Sequence, residues 1–294
     1  MPVEPTHPYT VIDVFTDRPL TGNPLAVFTE GEAVPSRLML DAARELHLSE
    51  TAFVLPGDDD ADATVRIFTP QAELPFAGHP VLGTAFVVGE AGNLATVRLR
   101  TGAGIVPVHL TREHGEIVYG EMEQPLPTVG EFEHADELLA ALGVSRASVA
   151  LPIEIYTNGP SHVYVALVDL DAGTDNAAAV AALLPDMEAL RALGTMGITC
   201  FTRTGDARVK SRVFCPGMGI PEDPATGSAA GPLALHMARH GWLKPGQELT
   251  IVQGVEIQRP SELSARVEGS AVEPTAIIVG GMAVPVAHGH FRLQ

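Results

Sequence analysis

Arg66-Ile-Phe-Thr-Pro70 and Arg212-Val-Phe-Cys-Pro216 are one phrase written twice, separated by about half of the chain's 294 residues. Pro75 and Pro221 keep the same spacing. Beyond them the spacing lengthens by a few residues, so that Gly78 matches Gly227 and Ala85 matches Ala234. An internal repeat is weighed before any motif, because it sets the architecture. The reading is two similar halves related by duplication, 1–128 and 129–278. Their junction lies at the turn-rich Gln124-Pro-Leu-Pro-Thr-Val-Gly130.

Short runs of Val, Ile, Phe and Thr between Gly/Pro turns mark strands. In the first half these are Tyr9–Phe15, Leu25–Thr29, Thr51–Leu55, Thr64–Phe68, Val97–Arg100 and Glu116–Tyr119. In the second they are Ile153–Thr157, Val163–Val168, Thr199–Thr202 and Arg208–Phe214. Helices are expected over Pro35–Leu46, with Ser36 as N-cap, and over Ala135–Leu142. Pro80–Val88 and Ala229–His240 are apolar nearly all round, the pattern of a helix buried at the centre of its domain. Gly89–Asn93 and Gly241 supply their stops. The fold class is therefore α+β, with a mixed sheet wrapped around one central buried helix in each half.

Composition narrows the function. A hydrophobic fraction of 46% excludes disorder as the main state. Thirty-six acidic residues against 18 basic ones leave a net charge of −18. That balance excludes nucleic acid and an anionic membrane surface as partners. No window of about 18 apolar residues is present. The start, Met1-Pro-Val-Glu-Pro-Thr-His-Pro8, lacks the pattern of a signal peptide. A cytoplasmic protein is expected.

Cys200 and Cys215, the 2 cysteines, support neither a disulfide framework nor a Cys-based zinc site and are read as buried hydrophobes. Gly57-Asp-Asp-Asp-Ala-Asp62 lacks EF-hand spacing and reads as a solvated loop. His288-Gly-His290 is not read as a metal site. The fingerprints of nucleotide, zinc and serine-hydrolase chemistry are missing. No metal or cofactor is expected.

Both central helices follow glycine-containing turns, Phe76-Ala-Gly-His79 and Glu222-Asp-Pro-Ala-Thr-Gly-Ser228. Helix N-termini present free N–H groups to anions, so a small anionic substrate is the expected ligand. With the halves face to face, both N-termini would open into one cleft. His79 and Asp223 flank the helix starts, and Glu50 opens an apolar strand. Two carboxylates and an imidazole suit proton transfer. Read alone, Asp223 also suits a helix cap, His79 a core histidine and Glu50 a surface position.

Gly22-Asn-Pro-Leu-Ala-Val-Phe28, Leu48-Ser-Glu-Thr51, Glu73-Leu-Pro-Phe-Ala-Gly-His-Pro80 and Glu222-Asp-Pro-Ala-Thr-Gly-Ser-Ala229 resemble the phenazine-biosynthesis isomerase family, PhzF. Pro152-Ile-Glu-Ile-Tyr156, Asn158-Gly-Pro160 and Gly231-Pro-Leu-Ala-Leu-His236 extend the resemblance along the second half. It implies the diaminopimelate-epimerase-like fold, with 279–294 returning to the first domain, and a homodimer. It implies cofactor-free isomerisation of trans-2,3-dihydro-3-hydroxyanthranilate. Glu50 would be the main acid/base, assisted by His79 and Asp223, with Ser49, Gly78, Gly227 and Ser228 holding the substrate.

Racemases of that superfamily carry a cysteine ahead of each central helix. The matching positions here are Ala77 and Thr226, so two-thiol chemistry is disfavoured. Arg66 and Arg212 are expected at strand-end surface positions. A related isomerase or epimerase acting on another small carboxylate, or a non-catalytic carboxylate-binding protein, are the alternative readings.

Overall fold

The computed structural model describes residues 6–168 and 177–293. The first five residues of the N-terminal stretch discussed above lie outside that range. In chain order the elements are β1 (Thr6–Val14), β2 (Asn23–Phe28), α1 (Ser36–Leu46), β3 (Glu50–Pro56), β4 (Ala63–Phe68), β5 (Glu73–Leu74) and α2 (Gly78–Gly92). Then come β6 (Thr96–Thr101), β7 (Gly104–Glu113), β8 (Glu116–Gln124), β9 (Thr128–Glu131), α3 (Ala135–Leu142), β10 (Glu154–Thr157), β11 (Ser161–Ala166), α4 (Ala177–Ala181) and α5 (Met187–Ala192). The rest are β12 (Gly197–Gly205), β13 (Arg208–Cys215), β14 (Ile220–Asp223), α6 (Gly227–Arg239), β15 (Leu249–Gln253), β16 (Ser261–Gly269), β17 (Pro274–Gly281) and β18 (Ala283–Arg292). The chain divides into two compact units, Met1–Glu123 with Gly280–Gln294, and Gln124–Val279. Each is a mixed sheet with few helices.

Both units use one strand plan. In the first, β2 runs antiparallel to β1 and parallel to β3. There β4 lies antiparallel to β3 and β5 but parallel to β6, which pairs antiparallel with β7. In the second, β10 to β16 repeat those relations in the same order. The side chains repeat as well. The Arg66 guanidinium lies 5.1 Å over the Phe68 ring, and that of Arg212 lies 5.0 Å over Phe214.

Helices α2 and α6 sit inside their own units. All of α2 from Gly78 to Phe86 is buried, and all of α6 from Gly227 to Ala238. Burial of Val81, Leu82 and Phe86 alone contributes about 1.5–3 kcal/mol each. Helix α2 is longer than its apolar run suggests. It ends inside the expected stop Gly89–Asn93: Gly92 is its last residue, and Asn93 follows in the left-handed conformation at φ 49°. Ser36 is not the cap of α1. Pro35 takes the extended cap position, and Ser36 falls into the first turn, where its Oγ accepts from Arg66 Nη1 at 3.0 Å.

The first unit's core centres on Phe28, Phe53 and Phe68. Phe28 and Phe53 stack at 4.7 Å, and Phe68 meets Phe53 edge-on at 5.5 Å. Phe291 of β18 closes on Phe28 at 5.8 Å, as β18 pairs along the whole of β1. The second unit packs α3 and α5 against β11 and β12 through Leu138, Leu142, Leu190, Val163, Val165 and Ile198. Cys200 and Cys215 are buried and in no disulfide, and burial pushes the Cys200 thiol up to about 12.

Arg212 departs from expectation. It is buried, forms a two-pronged pair with Glu222 at 2.7 and 3.0 Å, and donates to the carbonyls of Val180, Ala181 and Leu183. It is an internal brace, whereas Arg66 makes the equivalent pair with Glu73 nearer solvent. Among the described residues, no helix is long and apolar enough to cross a membrane.

Candidate active site

Strands β2 and β3 are parallel with Leu25 opposite Glu50, so Asn23 and Glu50 start their strands at the same end. There α2 begins, with Ala77 before it, Gly78 as its first residue and His79 as its second. Ala77 brings no capping side chain, and the first N–H groups of a helix have no intrahelical acceptor. Ser49 directly precedes Glu50. Glu50 Oε2 lies 3.5 Å from His79 Nδ1, with the two side chains 12% and 3% exposed. Asn23 Nδ2 lies 3.2 Å from the same nitrogen.

Burial lowers His79 to about 3, so the imidazole is neutral at working pH and the Glu50 contact is not an ion pair. Asn23 Nδ2 and Glu50 Oε2 both face Nδ1, so that nitrogen is the one through which the ring meets its polar neighbours. Nε2 is buried without a hydrogen-bond partner among the described residues. A carboxyl beside a neutral imidazole, both largely shielded from water, is equipped to take up and return a proton.

In the second unit, Asp223 closes β14 and Thr226 immediately precedes α6. Thr226 Oγ1 donates to Asp223 Oδ2 at 2.6 Å. Gln253 of β15 ties this turn together: its Nε2 donates to the Asp223 carbonyl at 2.8 Å and to Thr226 Oγ1 at 3.0 Å. Asp223 therefore sits buried in a prepared turn. Gly227 and Ser228 are the first and second residues of α6, as Gly78 and His79 are of α2.

The first turn of α6 is held from outside the helix. Pro232 has no N–H, so the Ser228 carbonyl lacks its usual helical donor. Asn158 Nδ2 supplies one at 3.0 Å. Gln124 Nε2 donates to the Gly227 carbonyl at 2.7 Å, and the Tyr164 hydroxyl to that of Ala229 at 2.9 Å. His162 Nε2 lies 3.2 Å from Ser228 Oγ.

The structure thus groups Ser49, Glu50, Gly78 and His79 in one unit, and Asp223, Gly227 and Ser228 in the other. Asn23, Gln124, Asn158, His162 and Gln253 were missed by sequence reasoning. Only Pro232 inside an apolar helix signalled that a donor would be needed from elsewhere.

One group of side chains among the described residues has the spacing to hold a metal ion, Glu154 with His236 and His240. Its atoms are already engaged. Glu154 Oε2 accepts from the Tyr156 hydroxyl at 2.7 Å and contacts His236 Nδ1 and His240 Nε2, each at 3.0 Å. The Arg239 guanidinium stands 3.6 Å from Oε1. The His236 hydrogen bond, with those of Tyr156 and His240, holds the Glu154 carboxyl far below the usual range, while burial lowers His236. The group anchors α6 to β10.

Comparison with known proteins gives the family. Residues 12–289 match the family PhzC-PhzF, described as phenazine biosynthesis-like protein. The trans-2,3-dihydro-3-hydroxyanthranilate isomerase of Pseudomonas aeruginosa is 46% identical, across 98% of this chain and 100% of its own. The enzyme of that name from Pseudomonas fluorescens is also 46% identical, across 96% and 98%. A solved PhzF-family protein from Bacillus anthracis superposes with a TM-score of 0.81 at 26% identity, covering 98% of this chain and 100% of its own. A hydroxyproline epimerase from Agrobacterium vitis shares the fold alone, with a TM-score of 0.69 at 14% identity over 98% of this chain and 93% of its own. The chain belongs to the PhzC-PhzF family of phenazine biosynthesis-like proteins.

Proposed function

We propose that the protein is an isomerase converting trans-2,3-dihydro-3-hydroxyanthranilate to an amino ketone by acid/base proton transfer. The observation that carries this reading is the Glu50 carboxyl 3.5 Å from a buried, neutral His79 at the start of α2. The 46% identity to isomerases of that name, over nearly the whole chain, supports the substrate.

In this mechanism Glu50 removes the proton from C3 of the ring, and the C–H electrons form the C3–C4 double bond. The diene shifts by one position, and C1 takes the proton back from Glu50. The product is an enol that relaxes to the C3 ketone, so no redox partner is involved. Neutral His79, 3.5 Å away, is the polar group beside the carboxyl between the two transfers. Asp223, set in its turn by Thr226 and Gln253, is the second polar group assisting the ring. The substrate carboxylate is held by Ser228 and the N–H groups at the start of α6, and Ser49, Gly78 and Gly227 are the other substrate-holding residues that the family resemblance implies.

The further reading is a homodimer using neither metal nor cofactor, resting on the family resemblance, and a cytoplasmic location, resting on the missing signal-peptide pattern. Light scattering that returns a monomer of 30.9 kDa would remove the dimer. The activity is tested by incubating the protein with trans-2,3-dihydro-3-hydroxyanthranilate in D₂O, followed by ultraviolet absorbance and NMR. Consumption with hydrogen or deuterium newly placed at C1 is expected. Folded protein that leaves the substrate untouched moves the assignment to another small carboxylate.

A further inference from the structure

His162 belongs to β11 and is buried against the first turn of α6, with Nε2 3.2 Å from Ser228 Oγ. Its ring lies on the backbone of Gly197, where any Cβ would collide with Nδ1. Burial lowers His162 to about 4, so the ring is neutral and carries one N–H. Nδ1 is buried and has no hydrogen-bond partner among the described residues.

That orphaned nitrogen decides the tautomer. A proton on Nδ1 would be a buried donor with nothing to receive it, which is rarer in proteins than an unpaired acceptor. A proton on Nε2 meets Ser228 Oγ. Ser228 then accepts from His162 and cannot donate back to it. The nearby carbonyls of Gly227, Ser228 and Ala229 already receive Gln124, Asn158 and Tyr164. The hydroxyl proton of Ser228 is then available to a ligand at the helix start.

We infer that His162 is a positioning residue that donates from Nε2 to Ser228 Oγ and so holds the Ser228 hydroxyl as a donor to the substrate carboxylate. The inference rests on the reading of Ser228 as a carboxylate-holding residue. A neutral His162 keeps this donor sense throughout the physiological pH range. Without it the hydroxyl is free to rotate, and part of the substrate affinity is lost before any chemistry begins.

The test is steady-state kinetics with trans-2,3-dihydro-3-hydroxyanthranilate on Ser228→Ala, His162→Leu, His162→Gln and the double variant His162→Leu/Ser228→Ala. Ser228→Ala should raise KM by about tenfold or more, the loss expected for one hydrogen bond to a charged group. His162→Leu should raise KM by a similar factor while kcat changes far less. His162→Gln, whose amide reaches the Nε2 position, should recover most of the loss. In the Ser228→Ala background, His162→Leu should add little. Full additivity of the two losses, or an unchanged KM in His162→Leu, overturns the inference. An unchanged KM in Ser228→Ala sinks the Ser228 reading itself, so the two failures are distinguishable. If circular dichroism finds His162→Leu unfolded, nitrogen-15 NMR of the wild-type imidazoles decides. A His162 proton on Nε2 upholds the proposal, and one on Nδ1 refutes it.

Discussion

Glu50 stands at the first position of β3, with an apolar strand behind it and His79 Nδ1 3.5 Å away. The strand supplies rigidity, and the largely buried position limits how many waters can compete for the proton. Replacement by Gln keeps the shape and removes the exchangeable carboxyl proton. Glu50→Gln should lower kcat by about 10²- to 10⁴-fold, the usual contribution of a positioned acid/base, and leave the Kd for anthranilate, a carboxylate analogue, within a few-fold. Stopped-assay turnover with isothermal titration calorimetry checks both, and wild-type turnover would refute the role. Neighbouring residues show where chain-local reasoning stops. That Glu50 opens a strand and His79 a helix follows from the local pattern. That Asn23 reaches the same nitrogen depends on the parallel register of β2 with β3.

At the scale of the element, α6 contains its own weak point and the remedy for it. Pro232 removes the donor for the Ser228 carbonyl, and Asn158 restores one. Asn158→Ala should destabilise the protein by about 1–3 kcal/mol, because a buried carbonyl is left unpaired. In a Pro232→Ala background the backbone N–H returns, and the same truncation should cost clearly less. Urea denaturation of the four proteins gives the coupling, and equal losses in both backgrounds would exclude this account. The apolar character of α2 and α6 was legible along the chain, and α3 begins and ends where its sequence pattern does. The external donors were not legible, since Gln124, His162 and Tyr164 come from strands, and Asn158 from the turn after β10, all distant in sequence from α6. Arg212 makes the same point. Its motif repeats the Arg-x-Phe of Arg66, yet only the tertiary structure shows three carbonyls and Glu222 enclosing it.

Across the whole molecule, three buried histidines share one electrostatic property. His79, His162 and His236 all hold depressed values, chiefly through burial. In the unfolded chain they protonate near 6.5. As pH falls below that value the unfolded state binds protons that the native state refuses, so stability declines. The slope is about 1.4 kcal/mol per pH unit for each such group, and it persists down to the folded values, about 3 for His79 and about 4 for His162. Glu154, depressed by its hydrogen bonds, acts in the same direction at lower pH. Urea midpoints should therefore fall between pH 7 and pH 5, and a flat or rising midpoint would contradict the assignment of three neutral buried rings. Chelators should leave turnover unchanged in the same preparations. Activity lost to a chelator and restored by a metal would overturn the metal-free mechanism.

The sequence by itself determined what depends on neighbours along the chain. It set the α+β class, the two helices apolar on every side, the repeated Arg-x-Phe phrase, and a carboxyl, an imidazole and a hydroxyl at the starts of elements. Those properties arise from period, turn chemistry and side-chain type within a few residues. Tertiary packing settled which nitrogen of His79 faces Glu50, what replaces the missing N–H of Pro232, and how deeply Arg212 lies. Each of these is set by strand register and by the packing of residues far apart in sequence. A hydrogen bond is made or lost over distances of less than an ångström, and local pattern does not encode position at that scale.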